Sequence, residues 1–306
     1  KEALQTEIGK IESSEEKEMV VGIVKAATLR SDYCTGRVAL EDAKVLDKRG
    51  DHYSSSKKYG SAAEVFERVS HALESEQDLK ELKLIFTLSK AWQKMTRAEA
   101  EASPTLYLEA SQLFEQAKEL SPSEKAKMLA LGHSRFCRAL EAGTKFTDTR
   151  EATLHTTAMQ HLESAANYYL KAGCQNASEY AKATGLLFDA YEHIDNAKKE
   201  RDPEKKAKLY TMAEKVLQTS AGSFIKAEHP EKREQVLNLL NKVMEEQELT
   251  LSLIEVLHAP PIASATTAFT TPTPTHETAV GLERFEHADI QANVITRQKA
   301  LKVGEN

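Results

Sequence analysis

The chain has 306 residues, of which only 12 are glycine and 8 proline; hydrophobic residues make up 41%, charged residues 29% and aromatics 6%. Ala, Glu, Lys and Leu dominate, which excludes a collagen, a disulfide-stapled scaffold, a mostly-β chain and a wholly disordered one. A formal net charge of −6 argues against a general nucleic-acid binder, which is usually strongly basic.

Apolar residues recur at three- and four-residue spacing from residue 1 to 257, the signature of amphipathic helices. In chain order the pattern predicts helices near 1–12, 15–31, 38–56, 58–75, 78–102, 104–120, 122–143, 150–172, 175–200, 203–228 and 230–257. Residue 1 is Lys, which implies a chain that begins inside a longer gene product. The longest apolar run, Met19 to Ala27, is broken by Gly22 and Lys25. It falls short of the ~20 residues a bilayer span needs, so stable membrane insertion is not expected. Cys34, Cys137 and Cys174 are far apart and odd in number, which fits the reducing cytoplasm, the expected location.

Pro104, Pro122, Pro203 and Pro230 follow Ser103, Ser121, Asp202 and His229. Proline suits the first helical position, and Ser or Asp before it can accept the free N–H groups of the first turn. Ser121-Pro122-Ser123-Glu124 also fits a capping box. The other four prolines fall in 258–278, a Pro/Thr-rich stretch read as an extended linker or a strap on the helical body. In 279–306, Ala288, Ile290, Ala292 and Val294 alternate with polar residues, the period of a half-buried strand. This segment looks like the first hairpin of an immunoglobulin-like β-domain whose remainder lies outside the sequence, although Ile290 to Leu301 also permits a helical reading. The expected division is therefore a helical domain over 1–257, a linker over 258–278 and an extended segment over 279–306.

The most informative pattern is internal. Ala62, Phe66 and Val69 recur 48 residues later as Ala110, Phe114 and Ala117, again as Ala158, Leu162 and Ala165, and in a fourth copy as Lys206 or Ala207, Tyr210 and Ala213. Ala72, Leu120, Tyr168 and Val216 keep the same step, as do Trp92, Leu140 and Phe188 in the preceding helices. Small residues let the second helix of a hairpin approach the first, and the large residue a turn later fills the groove to the next pair. One hairpin cannot bury its own apolar faces, so the copies are expected to stack, each touching its neighbours.

These residues carry a resemblance. Leu46, Gly50, Tyr53, Tyr59, Ala62 and Phe66 stand in a spacing similar to that of a tetratricopeptide repeat, with Asp42 to Leu73 the nearest match. The later copies have longer first helices, with Ser89, Cys137 or Gly185 at the small position and a 48-residue period. Ser164 to Gly173 is similar to the elongated repeats of the soluble NSF attachment proteins. The resemblance spans about residues 38–228. It implies an all-α chain, a right-handed α-α superhelix of hairpins followed by a short C-terminal extended or β segment. It also implies a non-catalytic scaffold that binds a partner protein or peptide along a concave groove. A regulatory or sensor module of a larger signalling protein is the alternative, and a membrane-surface role is a weaker one.

In such arrays the first helices line the groove, which here would present Lys83, Phe86, Lys90, Lys94, Arg138 and Lys182, with Leu131, Glu141, Glu179 and Asp189 on the same face. That face would be net basic and would attract an acidic partner. A carboxylate clamp of the kind found in chaperone-binding arrays is not expected, because the matching positions are Asp47 and Asp51. No glycine-rich phosphate loop, paired-cysteine motif or His-Glu-x-x-His occurs in the sequence, so no cofactor, metal site or catalytic group is assigned. The helix from 230 begins Glu231-Lys232-Arg233-Glu234 and is expected to cap the stack with a polar outer face.

Overall fold

The structure is a computed structural model, and it describes residues 14–258. Nine helices occupy this span: α1 (Ser14–Lys48), α2 (His52–Ser70), α3 (Glu76–Glu101), α4 (Pro104–Leu120), α5 (Glu124–Thr149), α6 (Ala152–Lys171), α7 (Gln175–Lys199), α8 (Pro203–Lys226) and α9 (Pro230–His258). No strand is present among the described residues, so this part of the chain is all-α. The helix expected over 1–12 and the extended segment over 279–306 lie outside the described residues. So does the linker over 258–278, except for His258, which closes α9. No helix among the described residues is long and apolar enough to cross a membrane.

Local chemistry explains most helix ends. The Ser103 hydroxyl accepts the Leu106 N–H at 3.4 Å, with Pro104 in the first turn. Asp202 accepts from Glu204 and Lys205 before α8, and Asp51 from Ser54 before α2. The reading of Ser121-Pro122 as a helix start is corrected. Ser121 instead closes α4, donating its hydroxyl to the Ala117 carbonyl, and Ser123 caps α5 through the Ala126 N–H.

Two further boundaries differ from expectation, each for a packing reason. The helices expected over 15–31 and 38–56 are joined into α1, and the break falls at Gly50 (φ 75°). At Gly36 a Cβ would lie 2.7 Å from the Phe66 ring, so the glycine permits a close helix contact without ending the helix. The expected end of α5 at 143 moves to Thr149 by the same logic, since a Cβ on Gly143 would lie 2.5 Å from the Phe188 ring.

The chain divides into two compact units. Among the described residues, the first comprises residues 14–188 and Thr219–Val236. Within it, each helix from α2 to α5 packs on the helix before it and the helix after it. Ala62, Phe66, Ala110, Phe114, Ala158 and Ala165 are fully buried and Leu162 nearly so. Their preceding-helix equivalents Ser89 and Cys137 are buried too, as is Gly185. Rings run through this core in series: Tyr59 stacks on Trp92 at 6.2 Å, Trp92 meets His133 edge-on at 4.7 Å, and His133 meets Tyr169 at 5.2 Å. Ala72, Leu120 and Tyr168 are only half-buried, and in α6 the adjacent Tyr169 is the ring in the core.

Among the described residues, the second unit comprises Asp189–Gln218 and residues 237–258. Its described core is formed by Ala190, Ala197, Tyr210, Ala213 and Leu217 with Leu240 and Val243, and Gln247 donates to the Thr211 hydroxyl at 2.8 Å. The expectation that α9 presents a polar outer face fails here, because Met244, Leu249, Leu251, Leu253, Val256 and Leu257 are all exposed.

Candidate functional site

In the first unit, charged side chains from distant parts of the sequence meet at one point. The last turn of α1 supplies Asp47, the start of α2 supplies His52, the last turns of α3 supply Glu99, and the first turn of α9 supplies Lys232. Lys232 Nζ donates to Glu99 Oε1 at 2.9 Å, and Tyr107 from α4 donates its hydroxyl to Glu99 Oε2 at 3.1 Å. His52 Nδ1 lies 2.8 Å from Asp47 Oδ1, with its Nε2 3.9 Å from Glu99 Oε1. Glu99 and Lys232 are separated by 133 residues, so the contact departs from a stack in which each repeat touches only its neighbours.

Two chain reversals of one kind build the site. After α1, the Asp51 N–H reaches back to the Leu46 carbonyl, with Gly50 left-handed. After α8, the His229 N–H reaches the Phe224 carbonyl, with Glu228 left-handed at φ 58°. This is the Schellman pattern, which satisfies the last helical carbonyls and normally uses glycine. Between the reversals lies a cleft of about 250 Å³ lined by Asp47, Lys48, His52, Tyr180, His229 and Lys232, among others. The Tyr180 ring packs 4.4 Å from His229 and 5.4 Å from Phe224.

Burial alone would raise the Glu99 carboxyl; the charges of Lys232 and His52, with hydrogen bonds from Lys232 and Tyr107, override it and hold the carboxyl at about 2. Burial and the neighbouring Glu99 push the Tyr107 phenol well above its ordinary value. Burial likewise lifts Tyr180 to about 12 and lowers His229, Asp47 partly opposing the latter. A carboxylate this acidic is a poor general base near neutral pH, and the raised phenols are poor acids and nucleophiles.

The six residues expected to form a groove all belong to the first unit, on α3, α5 and α7. Lys83 and Lys182 are exposed, and Phe86, Lys90, Lys94 and Arg138 half-buried. Several are neutralised locally: Lys94 pairs with Glu109 of α4 at 2.7 Å, Arg138 with Glu141 at 3.0 Å and Lys182 with Glu179 at 2.9 Å. Lys90 lies 5.9 Å from the Phe86 ring. The step of 48 does not give equal environments on this face, because Ser134, between Phe86 and Lys182 in register, is fully buried and bonded to Ser111 and Glu115.

Sequence reasoning missed the Glu99 cluster. Glu99 and Lys232 read locally as solvated helix charges, and Lys232 was expected on the outer face of a capping helix, whereas its side chain is about three-quarters buried against Glu99. The only local hint is His229-Pro230, which marks the start of α9 without indicating what its first turn meets. No protein-family model, curated protein or solved structure matches the chain.

Proposed function

We propose that the chain is a non-catalytic interaction scaffold. In this reading it is a stack of tetratricopeptide-like helical hairpins, wound as a right-handed superhelix, that binds a partner protein or peptide along the concave face of α3, α5 and α7. The observation that carries it is the shared burial of residues 48 apart: Ser89, Cys137 and Gly185 in one set of helices, Phe66, Phe114 and Leu162 in the other. A helix that spends one face on its predecessor and another on its successor leaves a third face open for a partner. The cluster around Glu99 adds no support for catalysis, because its groups are fixed in mutual ion pairs and hydrogen bonds.

The partner class is an acidic peptide or an acidic surface. Lys83 and Lys90 supply positive charge, Phe86 offers an apolar contact, and Arg138 and Lys182 bring charge that a partner carboxylate would share with Glu141 and Glu179. Exchange of one carboxylate for another is nearly balanced at exposed sites, so affinity should be modest and should fall with salt. Selection from a random peptide display library provides the test. Acidic sequences should be enriched, and their affinity should drop at least tenfold, about 1.4 kcal/mol, on combining Lys90→Glu with Arg138→Glu. Unchanged affinity in the double variant, or enrichment of sequences without acidic residues, would reject the groove.

A further inference from the structure

We propose that Arg135, Arg138 and His161 form a site for a phosphate group carried by a phosphorylated residue of the partner peptide, which rests on the reading of the α5 face as part of a peptide groove. The starting point is a local break in the repeat. One step of 48 residues before and after Arg135 stand Thr87 and Ala183, both buried. At the steps of His161 stand Val65, Leu113 and Leu209, all apolar. A small side chain on one helix and an apolar one on the next suit a close, dry contact. One copy alone replaces both with ionisable groups, and the helices that carry them, α5 and α6, pack directly on each other.

These replacements gather positive charge. Arg135 lies one turn before Arg138 on α5. Both are half-buried, as is His161 on α6. Burial lowers the His161 imidazole, the fields of Arg135 and Arg138 lower it further, and Glu141 opposes them. Glu141 has both oxygens engaged, accepting from Arg138 at 3.0 Å and from Lys145 at 2.8 Å. Among the described residues, the side chains of Arg135 and His161 make no ion pair or hydrogen bond, and their nitrogens are not sealed from solvent. Arg135, Arg138 and Lys145 against Glu141 leave a surplus of two positive charges.

A half-buried cation without a counter-ion loses hydration and gains nothing in return. A guanidinium presents a planar fork of donors that matches a carboxylate or a phosphate. A carboxylate has one charge and two oxygens, which a single guanidinium satisfies. A phosphorylated side chain has a charge of about −1.5 to −2 and three acceptor oxygens. Two guanidiniums, an imidazole and the surplus charge match the phosphate, and binding it should favour a proton on His161.

NMR of the full chain labelled at histidine tests the site with inorganic phosphate, compared with chloride at equal ionic strength. The His161 pKa should rise by about one pH unit in saturating phosphate and by clearly less in acetate. In chloride, Arg135→Gln should raise it by removing a neighbouring positive charge, and the variant should bind phosphate at least tenfold more weakly. Peptide sets with a fixed central phosphoserine or a fixed central glutamate then test the source. The phosphoserine set should bind at least tenfold tighter. Arg135→Gln should erase that advantage and leave the glutamate set its weaker affinity, which Lys83 and Lys90 supply. A His161 pKa that phosphate does not move in the parent would overturn the site, whether or not the variant folds. Equal binding of the two sets would overturn phosphate selection and leave the acidic-peptide reading standing. Binding of neither set, with the His161 response retained, would overturn the peptide as the source.

Discussion

Two residues show how this fold uses positions that a sequence reading passes over. His133 sits among Trp92, Phe114 and Tyr169, with Nδ1 2.9 Å from the Tyr169 hydroxyl, and burial alone lowers its imidazole to about 4. The folded state therefore holds it neutral while the unfolded chain protonates it near its ordinary value of 6.5. The contribution to stability is complete above pH 6.5 and is lost as pH falls toward 4, by about 3 kcal/mol. Glu99 adds a second loss at lower pH, between its ordinary 4.5 and its folded value of about 2. Urea titrations at pH 7.5 and pH 5 should show the parent losing stability on acidification. His133→Gln should lose clearly less; an equal loss in both would assign the effect to His161 and His229, which burial shifts in the same direction. Glu228 is the other case. It occupies a left-handed turn at φ 58° where a side chain costs ~1 kcal/mol, so Glu228→Gly should raise the unfolding free energy by about that amount, and a decrease would mean its side chain serves the fold. Caps such as Ser103 and Asp202 were legible because the oxygen and its N–H lie within three residues. The left-handed residues Ala102, Arg150 and Glu228 were not, because their conformation is set by the helices on either side and none is a glycine.

At the scale of the element, burial period decides which residues matter. Phe114 is fully buried between α4 and its neighbours, with the Trp92 ring edge-on at 5.3 Å. Phe114→Ala should cost about 3–5 kcal/mol in chemical denaturation, whereas a loss below about 1 kcal/mol would place the residue at the surface. The overall helical pattern was legible because apolar periodicity is a local property of each segment. The joining of 15–31 and 38–56 into α1 was not, because the side chain that makes Gly36 useful, Phe66, lies on another helix. The same applies to Gly143 and the Phe188 ring. In both places the glycine reads as a breaker in sequence and acts as a contact in space.

Across the first unit as a whole, the tie between Glu99 and Lys232 joins the end of α3 to the start of α9. A stack held only by neighbouring contacts can fray from an end; a bond across 133 residues couples those ends into one transition. No local motif encodes such a pair, which is why the sequence reading placed Lys232 on an outer face and left Glu99 unassigned. If the cluster is a structural clamp, removing one partner strands a buried charge, and stability falls. Residues kept for chemistry behave in the opposite way, since their replacement often stabilises the protein.

A double-mutant cycle in urea at pH 7 separates these cases most directly. Lys232→Met alone should cost about 3 kcal/mol by removing the ammonium that pairs with Glu99, and Glu99→Gln with Lys232→Met together should recover most of that loss. Single variants as stable as the parent, or more so, with no coupling between the two positions, would contradict the account.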